Sequence, residues 1–210
     1  GARNRTEAYH QLQGIIRKIY NGVFKGRKIV ANEISNQAAR FVTNCIIAYN
    51  HITLDNVYQD LAKKYANYPH FAFIGRSYMY PSEIEAALKL KEISYLNASA
   101  YPSGELTHGP IALLDENFPV VALCQNKATF EKIRSNILEA KARKAPILAF
   151  GFMQKNLDFC DDYFVLPDTP DPLAPILSAV ALQLFAYFIA CEKNKEIDQP
   201  RNLAKSVTVE

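Results

Sequence analysis

The chain has 210 residues, of which 49% are apolar and 21% charged, enough to bury the core of one generous domain and too apolar for a disordered chain. Its 24 Lys and Arg against 21 Asp and Glu leave a net charge of +3, which gives no reason to expect a polyanionic partner for the whole chain. Glycine is scarce at 8 residues, and neither G-x-x-x-x-G-K nor G-x-G-x-x-G occurs, so the common glycine-rich phosphate loops are excluded. Cys45, Cys124, Cys160 and Cys191 never fall as C-x-x-C and have no histidine at zinc spacing, so neither a metal nor a cofactor is expected. Two of them lie in apolar runs, as reduced core thiols of a cytoplasmic protein do. No secretory signal is expected, since Arg3, Arg5 and Glu7 are not followed by an apolar stretch.

Residues 1–53 read as helical or linker sequence. The first 28 carry seven cations against Glu7 alone, but no nucleic-acid motif, and a solvated helical face is the expectation. Leu54, Val57, Tyr58, Leu61 and Tyr65 then form a helical apolar stripe ended by Pro69. From Phe71 onward five β-rich runs alternate with helical stretches: Phe71–Gly75, Asn97–Tyr101, Pro119–Cys124, Pro146–Gly151 and Tyr163–Leu166. Solidly apolar runs such as Val120-Val121-Ala122-Leu123 suit strands covered on both faces. The pattern predicts a three-layer α/β/α domain with a five-stranded, mainly parallel sheet over residues 54–197, and ligands beyond the carboxyl ends of its strands.

The helices are expected from Pro81 to about Leu96, from Ala128 to Lys144 and from Leu173 to Cys191. Pro81 suits a first turn, and Glu83 the positive end of the dipole. The last stretch is uncharged and nearly long enough to span a bilayer, but Pro175, Ser178 and Gln183 interrupt it, which favours a helix packed inside the domain. Asp198-Gln199-Pro200-Arg201 then breaks the helix, and residues 198–210 read as an extended tail.

Glu85, Lys89 and Glu92 fall at i, i+4 and i+7, on one helix face. Such stripes are ordinarily surface ion-pair ladders; the functional alternative is an acid/base cluster. His108 lies between two strands, where loops of this fold carry ligands, and suits acid/base work better than metal binding. Lys205, in the tail, is ordinarily a solvated lysine, and becomes a Schiff-base amine only where burial or a cationic neighbour such as Arg201 or Lys89 lowers its pKa.

Gly75-Arg76, Tyr80-Pro81, the run Glu85-Ala86-Ala87-Leu88-Lys89-Leu90-Lys91-Glu92-Ile93-Ser94-Tyr95 and the run Ala100-Tyr101-Pro102-Ser103-Gly104-Glu105-Leu106-Thr107-His108-Gly109-Pro110 resemble the isomerase part of the glutamine:fructose-6-phosphate aminotransferase (glucosamine-6-phosphate synthase) family. The tail from Asp198 to Glu210 is similar to that family's carboxyl terminus almost letter for letter. The resemblance covers about Leu54 to Glu210, the second of the family's two sugar isomerase (SIS) domains.

It implies an enzyme that makes glucosamine 6-phosphate from fructose 6-phosphate and glutamine-derived ammonia, for amino-sugar synthesis. By the same resemblance Glu92 shuttles a proton and Lys89 assists at the sugar oxygens. His108 opens the ring from a neighbouring subunit of a homodimer, Lys205 holds the sugar as a Schiff base, and Glu85 is a supporting acid. The family's phosphate turn, of Ser-Gln-Ser-x-x-Thr type in the first SIS domain, and its amino-terminal glutaminase have no counterpart here, which implies a fragment inactive alone. Thr107 stands where the family more often has Lys, and Ser77 where Gly is common, which makes the loop after the first strand less permissive. The alternative is a phosphosugar-binding module that regulates without turnover. Neither a nucleic acid nor a membrane is expected as partner.

Overall fold

The computed structural model describes residues 55–152 and 157–203. The expected N-terminal helices and the boundary at residue 53 lie outside the described residues, as do Leu54 and the end of the tail. In chain order the elements are α1 (Asp55–Tyr65), β1 (His70–Gly75), α2 (Met79–Ser94), β2 (Asn97–Pro102), β3 (Val120–Cys124), α3 (Phe130–Lys141), β4 (Ile147–Phe152), β5 (Asp162–Leu166) and α4 (Ala174–Glu192). Two 3-10 turns, Ser103–His108 and Pro110–Leu113, fill the passage from β2 to β3.

Every strand pairing is parallel, in the order β2-β1-β3-β4-β5. Alternate residues of β1, β3 and β4 enter different cores, which is why these strands read as continuous apolar runs, whereas β5 sends only Phe164 and Leu166 inward. Phe71 and Phe73 of β1, with Val121, Leu123, Leu148 and Phe150, pack against α1, α2 and α4. Ala72, Ile74, Val120, Ala122, Ile147 and Ala149 pack against Ile133, Ile137 and Ala140 of α3. The expected three layers and five strands are present. After β1 the chain first lays β2 on one side and then returns to lay β3 on the other, so strand order reverses between β1 and β3. Doubly wound sheets hold ligands beyond the strand ends at such a reversal.

Several local expectations shift. Helix α2 begins at Met79, two residues before Pro81, whose missing N–H still falls among the first-turn donors that have no helical acceptor. Glu83 is not a dipole-facing surface acid but wholly buried. Helix α3 starts at Phe130, after a 3-10 turn, and ends at Lys141. Lys144 therefore lies past its end, in a left-handed conformation at φ 66°. On α1, Val57 is exposed, and the buried face is Tyr58, Leu61, Ala62 and Tyr65.

Helix α4 departs further. It packs on α1 and α2 through Ala181, Leu182, Phe185 and Ile189. Ile176, Val180 and Tyr187 on its other side are exposed, so it is not enclosed as expected. Among the described residues, Asp171–Glu192 is the one segment long and apolar enough to cross a membrane, and half of it is buried in the fold.

Candidate functional site

Glu85, Lys89 and Glu92 share the half-buried side of α2 that faces away from the sheet. Lys89 Nζ donates to Glu92 Oε2 at 2.7 Å and stands 3.7 Å from Glu85 Oε1. The Glu92 bond, more than the opposing effect of burial, raises the Lys89 pKa above its ordinary value and keeps the ammonium charged. Beside Lys89 lies an apolar groove of about 350 Å³ between α2 and α4, with Ile93, Val180, Leu184 and Tyr187 in its walls. The chain places a paired carboxylate and ammonium at the edge of a concave apolar surface, an arrangement suited to moving a proton on a polar ligand.

The face does not sit at the carboxyl end of β1, as doubly wound sheets would suggest. Helix α2 starts there and runs back along the sheet, and at 1.5 Å per residue Glu92 lies about 20 Å along the axis from Met79. Beyond the end of β3, polar groups of residues 125–128 are bonded by the segment after β5. Asp171 Oδ1 accepts from the Lys127 N–H at 3.1 Å and Asp171 Oδ2 from the Ala128 N–H at 3.4 Å, so the backbone amides ahead of α3 are already used by an internal anion. Lys127 Nζ pairs with Asp168, and Gln125 Nε2 donates to Pro167 O at 3.1 Å.

His108 ends the 3-10 turn after β2 and is exposed, followed by Gly109 at φ 142°. Leu106 in the same turn belongs to the α3-side core, so the turn is packed on the opposite side of the sheet from α2. Among the described residues, no hydrogen bond or ion pair joins His108 to Glu85, Lys89 or Glu92. Lys205 lies outside the described residues. The segment leading to it is moored on Tyr95, three residues past Glu92. The Arg201 N–H donates to the Tyr95 hydroxyl at 2.9 Å, the Arg201 guanidinium lies 4.3 Å from the ring centre, and Lys195 Nζ lies 5.8 Å from it.

Three contributors escaped the sequence reading: Glu83, Tyr95 and Asp171. For Glu83 the signal was present, since it precedes Ala86, Ala87 and Leu90 at i+3, i+4 and i+7 and so shares their sheet-facing stripe. Tyr95 and Asp171 act through partners over forty residues away, and no local pattern marks them. Among the described residues no group of three His, Cys, Asp or Glu could hold a metal ion.

Residues 64–191 match the model of the SIS domain family. The chain belongs to the SIS domain family. A second model, that of the Tn3 transposase DDE domain, matches residues 1–72, overlapping the SIS match only at its edge. The SIS chain is 47% identical over 163 residues to the glutamine--fructose-6-phosphate aminotransferase of Thermotoga maritima, covering 77% of this chain and 27% of that protein. It thus spans about a quarter of the length of the curated relatives it matches. Among solved structures it is similar to the C-terminal domain of glucosamine-fructose-6-phosphate aminotransferase from Francisella tularensis, with TM-score 0.72, 35% identity, and 80% and 47% of the two chains covered. A glucosamine-6-phosphate deaminase of Thermotoga maritima shares the fold at TM-score 0.56 and 24% identity, over 72% and 46% of the two chains.

Proposed function

We propose that this SIS unit is the carboxyl-terminal isomerase half of a cytoplasmic glucosamine-6-phosphate synthase. It works on fructose 6-phosphate together with a first SIS domain and a glutaminase. The observation that carries the reading is the Glu85–Lys89–Glu92 face, with Lys89 bonded to Glu92, in a chain 47% identical to an aminotransferase of that name.

In the proposed reaction the Lys205 amine attacks C2 of the open sugar and water leaves, giving an iminium. Glutamine-derived ammonia then adds to C2 and displaces the Lys205 amine, which leaves free and gives the C2 iminium of ammonia. That iminium withdraws electrons and acidifies C1, so the Glu92 carboxylate suffices to take a proton from C1 and return it at C2, leaving the amino group on C2 and an aldehyde at C1. The Lys89 ammonium, held charged by Glu92, stabilises negative charge on the sugar oxygens. Glu85 holds Lys89 from the other side. His108, exposed on a turn that Leu106 packs on the opposite side of the sheet, opens the ring in the site of a neighbouring subunit of a homodimer. The bare apolar side of α2 and α4, with Ile84, Leu88, Ile176, Val180 and Tyr187 exposed, is where the first SIS domain would seat. Asp171 already occupies the strand-end amides, which weighs against the regulatory module that would bind its own phosphosugar there.

The test is borohydride reduction with fructose 6-phosphate, followed by peptide mass mapping, on a protein rebuilt with both SIS domains. A sugar adduct on Lys205 that disappears in the Lys205→Arg variant is expected; the same adduct level elsewhere in that variant refutes the assignment. Turnover by the purified 210-residue chain is expected to be negligible, and measurable turnover overturns the half-enzyme reading.

Residues 1–54 support a second, separate reading. The transposase-domain match and the seven cations against one acid in the first 28 residues favour contact with duplex DNA. Fluorescence anisotropy with a labelled duplex should then show binding that weakens steeply with salt, and no binding at low salt refutes it.

A further inference from the structure

Glu83 lies on the sheet-facing side of α2 with Ala86, Ala87, Leu90 and Ser94, fully buried. Its Oε1 accepts from the Leu123 N–H of β3 at 2.8 Å, and its Oε2 has no partner. An apolar side chain of similar size would fill the space without an unpartnered oxygen, and buried polar atoms of that kind are rare enough to require a reason.

The packing supplies one. The sheet-facing side of α2 is mostly small, so the helix lies close to the strands: a Cβ on Gly75 would stand 2.8 Å from Glu83 Cγ. Small side chains make low ridges, and low ridges fix the rotation and slide of a helix weakly. The Glu83 bond is directional. It meets β3 one residue beyond the last β1–β3 rung, Ile74↔Ala122, at the reversal of strand order. Among the described residues it is the one side-chain hydrogen bond from α2 to the sheet.

We infer that Glu83 is a positioning residue: its bond to the β3 backbone fixes the rotation of α2 and so the direction in which Glu85, Lys89 and Glu92 are presented. A continuous helix carries that rotation along its length, and Lys89 follows Glu83 by about 9 Å of rise. The inference rests on the proposed function only for its catalytic meaning, because the placement of Lys89 is read without turnover.

The experiment uses the full chain with Glu83→Gln, which keeps an acceptor at the same reach, and with Glu83→Asp and Glu83→Met, which lose it by shortening or by removing the oxygen. The readouts are NOEs from the Lys89 side chain to Val180, Leu184 and Tyr187 across the groove on α4, assigned with Lys89→Arg, and exchange of the Leu123 amide. Glu83→Gln is expected to keep those NOEs and the slow Leu123 exchange. The Asp and Met variants, folded by their core methyl spectrum, are expected to lose the Lys89–α4 NOEs and to speed Leu123 exchange about tenfold or more. A folded Asp or Met variant with the Lys89–α4 NOEs unchanged overturns the inference, as does a Gln variant that loses them. If neither Asp nor Met variant folds, Glu83 is a purely structural residue and the inference also fails. Absence of a Lys205 adduct in the borohydride experiment would remove the catalytic reading and leave these signals untouched.

Discussion

Replacing Glu83 by Gln should change the pH dependence of stability in a defined direction. Burial holds the Glu83 carboxyl protonated well above the ordinary glutamate range, outweighing the Leu123 N–H, which favours the ionised form. The unfolded chain ionises it near ~4.3. Between that pH and the native pKa the folded state binds the extra proton, so the stabilisation is complete at the acid end and is lost as pH rises. The loss is about 1.4 kcal/mol per pH unit. The Gln variant has no such proton. It keeps an acceptor for the Leu123 N–H but adds an amide donor beside the unpartnered Oε2 position, at a cost of about 1–3 kcal/mol near pH 4. At the stated slope the wild type gives up that advantage within about one to two pH units, after which the variant is the more stable. Urea unfolding of both proteins from pH 4 to 8 measures the difference, in which the other titrating groups cancel. Parallel curves, or a wild type that gains on the variant as pH rises, would refute a buried neutral carboxyl at this position.

Gly75→Ala should cost about 1–3 kcal/mol, because the added methyl would stand 2.9 Å from the Met79 backbone as well as against Glu83; an unchanged melting temperature refutes the close approach. Ser77 sits at φ 53°, where a glycine is unstrained, so Ser77→Gly should gain about 0.5–1 kcal/mol in thermal unfolding despite the added chain entropy, and a loss would count against strain at this turn. Glu92→Gln removes the largest cause of the raised Lys89 pKa, so the titration of Lys89 by NMR should shift downward. Because that pKa is raised in the native state, the associated stability is present below the ordinary lysine value and fades as pH rises through the native one. The penalty of Glu92→Gln should therefore be seen at neutral pH and shrink at strongly alkaline pH, and a penalty that grows there contradicts the pairing.

Short-range pattern determined a large part of this molecule. Continuous apolar runs such as Val120–Cys124 suit strands buried on both faces, and their alternation with helices points to a parallel three-layer sheet, because parallel neighbours need a crossover between them. The i, i+4, i+7 spacing likewise put Glu85, Lys89 and Glu92 on one side of α2, since helix geometry alone decides it. Other properties depend on groups distant in the chain. Whether Glu83 is a solvated acid or a buried one turns on Leu123, forty residues on; the use of the Lys127 and Ala128 amides turns on Asp171; and the mooring of the tail turns on Tyr95, a hundred and six residues before Arg201. Composition also misjudged α4, because an apolar helix reads the same whether its far side meets a core or lies bare, and only the packed layers show that Ile176, Val180 and Tyr187 are exposed. Local spacing fixes what a segment can form, while burial, charge state and partners are set by which surfaces the folded layers bring together.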